Sequence, residues 1–193
     1  MTTICVLCGG VGAARFLRGL LRVVPPSDIT AIVNTADDMR LHGLAISPDL
    51  DTCTYTLAEV INPETGWGLV GETWQAKETL DRYGGQTWFG LGDRDLGTHL
   101  YRTQRLDEGA TLADVTREIT AAWDLELNVL PMSNDSVRTR VTLTSGETID
   151  FQRYFVERQH ADAVRHVEFA GADRARPAPG VLAAIQNADC VVI

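Results

Sequence analysis

The sequence predicts an α/β fold: a Rossmann-like, doubly wound and mostly parallel sheet with an inserted β-hairpin subdomain. Three observations predict it. An apolar run from Thr3 to Cys8 passes through Gly9-Gly10-Val11-Gly12 into an amphipathic stretch, Ala13 to Val23, which is the strand, glycine turn and helix of a nucleotide-binding unit. A second apolar run, Asp28 to Val33, leads into an acidic stretch, Asn34 to Thr52, at what such a sheet makes its ligand edge. From Val137 the apolar period changes to two, as Val137, Thr139, Val141 and Leu143 alternate with Arg138, Arg140 and Thr142. Residues 1–135 are therefore assigned to the main sheet, 136–170 to the inserted hairpin region and 171–193 to a return to the main sheet.

The composition narrows the function classes. A chain of 193 residues with 45% hydrophobic content can bury a sizeable core. Its net charge of −9 argues against a protein that tracks nucleic-acid backbones or anionic membranes, so any phosphate must be held locally. No run of 18 apolar residues and no signal-peptide pattern stands out, and the expected location is cytoplasmic. Cys5 and Cys8 have C-x-x-C spacing but lie inside the apolar run ICVLC with no second pair at zinc-finger distance, so they are expected to be core thiols.

Each element follows in order. The glycine turn lets backbone approach a phosphate, and the helix start offers free N–H groups and a positive dipole end, so Gly9, Gly10 and Gly12 are candidate ligand contacts. The full G-x-G-x-x-G fingerprint would need glycine at Arg15, and a Walker Gly-Lys-Ser/Thr is absent. Pro25 and Pro26 end the first helix. A helix is predicted from Thr52 to Ile61, capped by Asp51 or Thr52, and another from Glu72 to Tyr83. Between them lies a connection whose Trp67 and Trp74, with Trp88 beyond, can wall an aromatic ligand or simply pack. In GLGDRDLGTHLYRTQ, Asp93, Arg94, Asp95, His99 and Arg102 crowd together, and Arg94 and Arg102 are candidate anion binders. Thr111 with Asp114 marks a capping-box start for a helix reaching Trp123. Leu127 to Leu130 resumes a buried strand that presents Ser133, Asn134 and Asp135 at its end. Ser145-Gly146 should turn the hairpin into a second strand, Thr148 to Val156, with Arg138, Arg140 and Arg153 on its solvated face. A helix from Pro179 to Ala188 precedes a last parallel strand, Cys190 to Ile193, and the expectation is that the fold continues in a C-terminal part outside the chain.

The chemistry is concentrated between Asn34 and Thr52. Asp37, Asp38, Asp49 and Asp51 fall in one loop-like segment that Gly43 and Pro48 can fold back on itself. Carboxylates brought that close repel unless a cation or a hydroxyl-rich ligand compensates. Oxygen donors of this kind suit Mg²⁺ or Ca²⁺ better than zinc.

Taken in order, CGGVGAARFLRGL, IVNTADDMRLHGLAISPDLDT, GLGDRDLGTHLYRT and LPMSNDSV resemble the 2-phospho-L-lactate transferase family of coenzyme F420 biosynthesis. The resemblance implies an Mg²⁺-dependent transferase, acting as a homodimer. Its reaction moves a phospholactate or enolpyruvyl-phosphate group from a guanosine-diphosphate-activated donor to the deazaflavin alcohol Fo, releasing GMP. Carried over to these positions, it implies Asp37 and Asp51 as metal ligands and catalytic residues, with Asp49 as second choice for the metal. Asp51 and Arg94 would lie against Fo, Asp93 would be a further substrate contact, the three turn glycines would cradle phosphates or substrate, and Asn34, Ser133 and Asp135 would border the same crevice. Two other classes remain open: a non-catalytic UDP-sugar-binding regulator like the gluconeogenesis factors, and a nicotinamide-dependent oxidoreductase. The first would carry a glycine- and serine-rich continuation where Met39-Arg40-Leu41-His42 stands. The second lacks its third glycine and has Asn34 where an acidic residue should end the second strand.

Overall fold

The computed structural model describes residues 2–193. Four parallel strands form the central sheet: β1 (Ile4–Cys8), β2 (Ile29–Val33), β5 (Asn128–Pro131) and β9 (Cys190–Val192), in the order β5-β2-β1-β9. Their pairing is in parallel register, with Ile4 opposite both Ile29 and Cys190. Strands covered on both faces must be apolar on both faces, which is why these segments read as continuous rather than alternating runs.

Helices cover both sides. On one face α1 (Val11–Leu20) and α2 (Pro48–Leu57) bury Ala14, Leu17, Leu50, Cys53 and Leu57 against Val6, Cys8, Ala31 and Val33. On the other, α6 (Val181–Asn187) brings Val181, Ala184 and Ile185 against Cys5 and Ile32. Cys5 and Cys8 therefore sit on opposite faces of β1, as residues of odd separation in a strand must, and cannot act as a pair. Both are free, as are Cys53 and Cys190. Burial pushes the Cys8 thiol up to about 12, with Cys5 and Asp49 adding to the effect.

The acidic stretch is not a single loop. After Asn34 it forms a short antiparallel pair, β3 (Met39–Leu41) and β4 (Leu44–Ile46), turned by His42 and Gly43 at positive φ. Helix α2 then begins at Pro48, four residues ahead of the expected Thr52, with Ser47 as its N-cap residue. Proline is favoured at the first helical position because its missing N–H is needed by no bond there. Asp49 and Asp51 thus lie in the first turn of a helix, where the dipole favours negative charge.

Two helices were well marked in the sequence. Helix α3 (Gln75–Arg82) follows the tryptophan-bearing connection, and α5 (Leu112–Ala122) starts with the expected reciprocal bonds between Thr111 and Asp114. Between them runs α4 (Asp95–Asp107).

The inserted region is larger than a hairpin. Strand β6 (Arg138–Leu143) lies between β7 (Thr148–Asp150) and β8 (Val164–Ala170) in a three-stranded antiparallel sheet. The strand expected through Val156 stops at Asp150, and residues 153–157 wind into a π-helical turn. Phe151, Tyr154 and Phe155 stand at i, i+3 and i+4, a helical spacing that outweighs the alternation seen before it. The three arginines all have local partners: Arg138 bonds the Val137 carbonyl, Arg140 pairs with Asp150 and Arg153 with Glu157. Two contacts tie this sheet to the acidic stretch, Thr139 N–H to the Ala36 carbonyl at 2.7 Å and Gln152 Nε2 to the Asp37 carbonyl at 3.4 Å. Among the described residues no helix is long and apolar enough to cross a membrane.

Gly171 closes β8 with φ +90°, and a Cβ added there would stand 2.5 Å from the Ser136 carbonyl oxygen. Gly109, at φ +94°, has open space instead. Gly171→Ala is expected to cost roughly 2–4 kcal/mol in urea unfolding, and Gly109→Ala about 1 kcal/mol, because only the first combines strain with a backbone clash.

Candidate functional site

A cavity of about 430 Å³ opens at the carboxyl edge of the central sheet. Its floor is the start of α1 at Gly10 and Val11, and Asp37, Asp49 and Asp51 border it from the acidic stretch and α2. Trp67 and Phe89 wall it from the connections around α3, and Phe151 and Phe155 from the inserted sheet. One cavity thus has an acidic side and an aromatic side. Size, concavity and mixed lining are those of small-molecule sites.

The acidic side is built around Asn34. Its Nδ2 donates to Asp37 Oδ2 and to Asp49 Oδ2, both at 2.9 Å, while its Oδ1 accepts the Ala36 N–H at 3.0 Å and so fixes the amide's orientation. Asp37 and Asp49 therefore converge, which was expected of Asp37 and Asp51. Burial, opposed by the Asn34 bond and reinforced by Asp37, pushes the Asp49 carboxyl up to about 6. A Cβ at Gly10 would stand 2.7 Å from Asp49 Oδ1, so a side chain there would displace that carboxylate. At Gly9 and Gly12 a Cβ would meet nothing within 4 Å, so packing does not account for those glycines.

Asp51 has a different partner. Both its oxygens are engaged by the Arg102 guanidinium, Oδ2 by Nη1 at 3.2 Å and Oδ1 by Nη2. Asp51 is 6% exposed, Arg102 2% and His99 1%. His99 lies between two carboxylates, its Nδ1 3.8 Å from Asp51 Oδ2 and its Nε2 3.3 Å from Asp95 Oδ2. The Tyr55 hydroxyl donates to Asp95 Oδ1 at 2.7 Å. Asp95 is held below the usual carboxylate range: burial works against ionisation, but the nearby His99 ring, the Tyr55 bond and the Arg102 charge outweigh it. The anion that Arg102 binds is the protein's own.

Asp93 and Arg94 make scaffold contacts. Asp93 accepts the Gln75 and Ala76 N–H groups at 3.0 Å, capping α3. Glu72 in turn accepts the Arg94 and Asp95 N–H groups at 2.8 and 2.9 Å, capping α4. The Arg94 side chain bonds the Val70 carbonyl. Gly92 between them is required by the close approach of Glu72, whose Cδ would stand 2.1 Å from an added Cβ. Ser133 and Asp135 also lie away from the main cavity. Ser133 Oγ donates to the Arg176 carbonyl at 2.6 Å and Asp135 Oδ2 accepts the Arg176 N–H at 2.8 Å, stitching β5 to the segment before α6. Tyr55, Phe89, Phe151, Gln152 and Phe155 were not singled out from the sequence although they border the cavity. For Phe151 and Phe155 the helical spacing was the available signal; Tyr55 and Phe89 had none.

An Mg²⁺ ion suits the donors present. Asp37 and Asp49 offer hard oxygens already drawn together by a donor, and two carboxylates with water and substrate phosphate are how this ion is commonly bound. No group of three His, Cys, Asp or Glu side chains among the described residues forms a complete protein cage.

Asp38 turns away from the cavity. Its Oδ1 is closed to solvent without a partner, and burial pushes its carboxyl up to about 7 although Ser47 Oγ donates to Oδ2 at 2.8 Å. A raised folded pKa means that the native state keeps a proton the unfolded chain has released. That stability is full below about pH 4 and lost as pH rises through about 7. Asp38→Asn should therefore gain roughly 2–4 kcal/mol relative to the parent between pH 4 and pH 8, measured by urea unfolding in chelator. Asp51→Asn has the opposite effect at neutral pH, because it leaves the buried Arg102 charge without its partner; a loss of about 3–5 kcal/mol is expected.

The 2-phospho-L-lactate transferase CofD family matches this chain over residues 4–193. A phosphoenolpyruvate transferase of Streptomyces griseus subsp. griseus is 51% identical over 193 residues, covering 98% of this chain and 61% of the relative. The phosphoenolpyruvate transferase of Kitasatospora aureofaciens is 48% identical, covering 98% and 60%. The chain thus spans about 60% of the length of these curated relatives. A crystal structure of a UPF0052-family protein from Bacillus halodurans superposes with a TM-score of 0.67 at 23% identity, covering 100% of this chain and 58% of that one, and shares its fold. With the family match running from the first strand of the sheet to the last, the chain belongs to the 2-phospho-L-lactate transferase CofD family.

Proposed function

We propose that this chain carries the acceptor- and metal-binding part of a transferase of coenzyme F420 biosynthesis. The reaction moves a phospholactate or enolpyruvyl-phosphate group from a guanosine-diphosphate-linked donor to Fo. A bond forms between the Fo alcohol oxygen and the donor phosphorus, the bond from that phosphorus to GMP breaks, and the alcohol's proton leaves to solvent. The observation that carries this reading is the single cavity that sets the Asp37 and Asp49 carboxylates and the glycine turn beside aromatic walls. The names of the relatives support the same class of reaction.

Transfer of this kind needs charge neutralisation and alignment more than a covalent nucleophile. Mg²⁺, held by Asp37 and Asp49, would neutralise the diphosphate when bound. The N–H groups at the start of α1 point donors at the same region, and the open space beside Gly9 and Gly12 lets a phosphate approach them. Asp51 borders the same cavity, and the Arg102 guanidinium that engages both its oxygens holds it in place at the start of α2.

The test is incubation of the protein with Fo, Mg²⁺ and each synthetic donor, with mass analysis of the products. One donor should give an Fo-linked product and GMP. Asp37→Asn and Asp49→Asn should each lower turnover by roughly two orders of magnitude or more with an unchanged circular dichroism spectrum. No Fo product with either donor, together with tight UDP-sugar binding, would establish the regulatory class in its place.

A further inference from the structure

The inserted sheet brings an aromatic group to the cavity that nothing in the chemistry above requires. Phe151 packs against Val141, Leu143 and Ile149, the apolar centre of the antiparallel sheet. Phe155 stacks on Phe151 with centroids 5.5 Å apart and planes 11° from parallel, and His160 continues the stack at 5.3 Å and 22°. The stack is anchored at Phe151 in a core, and Phe151 and Phe155 border the cavity while His160 backs Phe155 from outside its lining. Phe155 is 51% exposed, and Trp67, which borders the same cavity, is 43% exposed. A solvent-exposed phenylalanine alone needs no explanation. Two large aromatic residues open to one concave space, on segments that share no secondary structure, form surface for a flat apolar ligand.

The backbone supports this assignment. Phe155 rides on the π-helical turn Arg153–Glu157, a form that is rare and concentrated at functional sites. Gln152, at the start of that turn, bonds the Asp37 carbonyl, so the aromatic stack and the acidic side are positioned against each other through one hydrogen bond. The turn itself holds no carboxylate on the cavity, because Glu157 pairs with Arg153.

We infer that Phe155, supported by Phe151 and His160, is a specificity-determining residue for the acceptor, binding its planar fused ring within the cavity that Trp67 also walls. This rests on the transferase reading, in which the acceptor is Fo. The inserted sheet is then the part of the fold that selects a flat tricycle, while the central sheet holds metal and phosphate.

The experiment is equilibrium binding of Fo, followed by its own fluorescence, to the parent protein and to Phe155→Ala, Phe155→Trp and Phe169→Ala. Phe169 is a control, an exposed aromatic on β8 that does not border the cavity. Phe155→Ala should weaken Fo binding about tenfold or more, while Phe155→Trp and Phe169→Ala stay within about twofold of the parent. Mg²⁺ binding by calorimetry and the melting temperature should be unchanged in all three, and the KM for Fo should rise in Phe155→Ala by more than kcat falls. Fo affinity in Phe155→Ala within twofold of the parent overturns the inference and leaves the transferase reading standing. Failure of the parent protein to bind Fo at all removes both.

Discussion

The buried ion pair between Arg102 and Asp51 is the constraint on which the site depends. Removing two charges from water is costly, and their attraction repays the cost only when geometry is close and the remaining hydrogen-bonding capacity is used. Here one carboxylate receives both guanidinium nitrogens, and His99, Asp95 and Tyr55 extend the network through α4 and α2. Asp95, His99 and Arg102 lie at i, i+4 and i+7, so one face of α4 carries the whole set. Because the pair tolerates little displacement, it fixes the first turn of α2, and with it the place where Asp49 meets Asp37 and Gly10.

The consequence is a division of labour among aspartates that share a short stretch of chain. Asp51 pairs with Arg102 at the edge of the cavity. Asp38 is buried against Ser47 on the far side of the strand end. Asp37 and Asp49 alone face each other, joined through the Asn34 amide. The parallel sheet makes this possible, since β1 and β2 both deliver their carboxyl ends to one edge and Asn34 N–H still bonds the Cys8 carbonyl there at 2.8 Å.

Much of this was readable from the residues, and the failures have physical causes. The central sheet was legible because strands buried on both faces leave long apolar runs, and the capping box of α5 because its two bonds demand particular residues at fixed spacing. The pairing of Asp37 with Asp49 was not legible, because it depends on where α2 begins. A proline at the first helical position starts the helix at Pro48 and rotates Asp51 inward. Arg102 looked like a ligand-binding arginine because charge alone does not say whether its anion is a substrate or another part of the chain. In the same way the residue types of Asp93 and Arg94 do not reveal that Asp93 caps α3 and that Arg94 bonds the Val70 carbonyl. The β-region was extended too far because Thr148–Asp150 does alternate, and the helical spacing of the aromatics after it spans too few residues to stand out.

Glu72 and Asp93 cap each other's helices across the tryptophan-bearing connection: the residue ahead of α3 caps α4, and the residue ahead of α4 caps α3. Neither helix start is satisfied by its own flanking side chain, so neither can be complete while the other is frayed. The caps therefore couple the two helix starts, so that loosening one end of the segment from Glu72 to Asp95 removes bonds from the other. Trp74 lies inside that segment, and Trp67, whose ring meets it edge-on at 6.2 Å, leans on it. The order of one wall of the cavity is in this way tied to a pair of carboxylates that cap helices outside its lining.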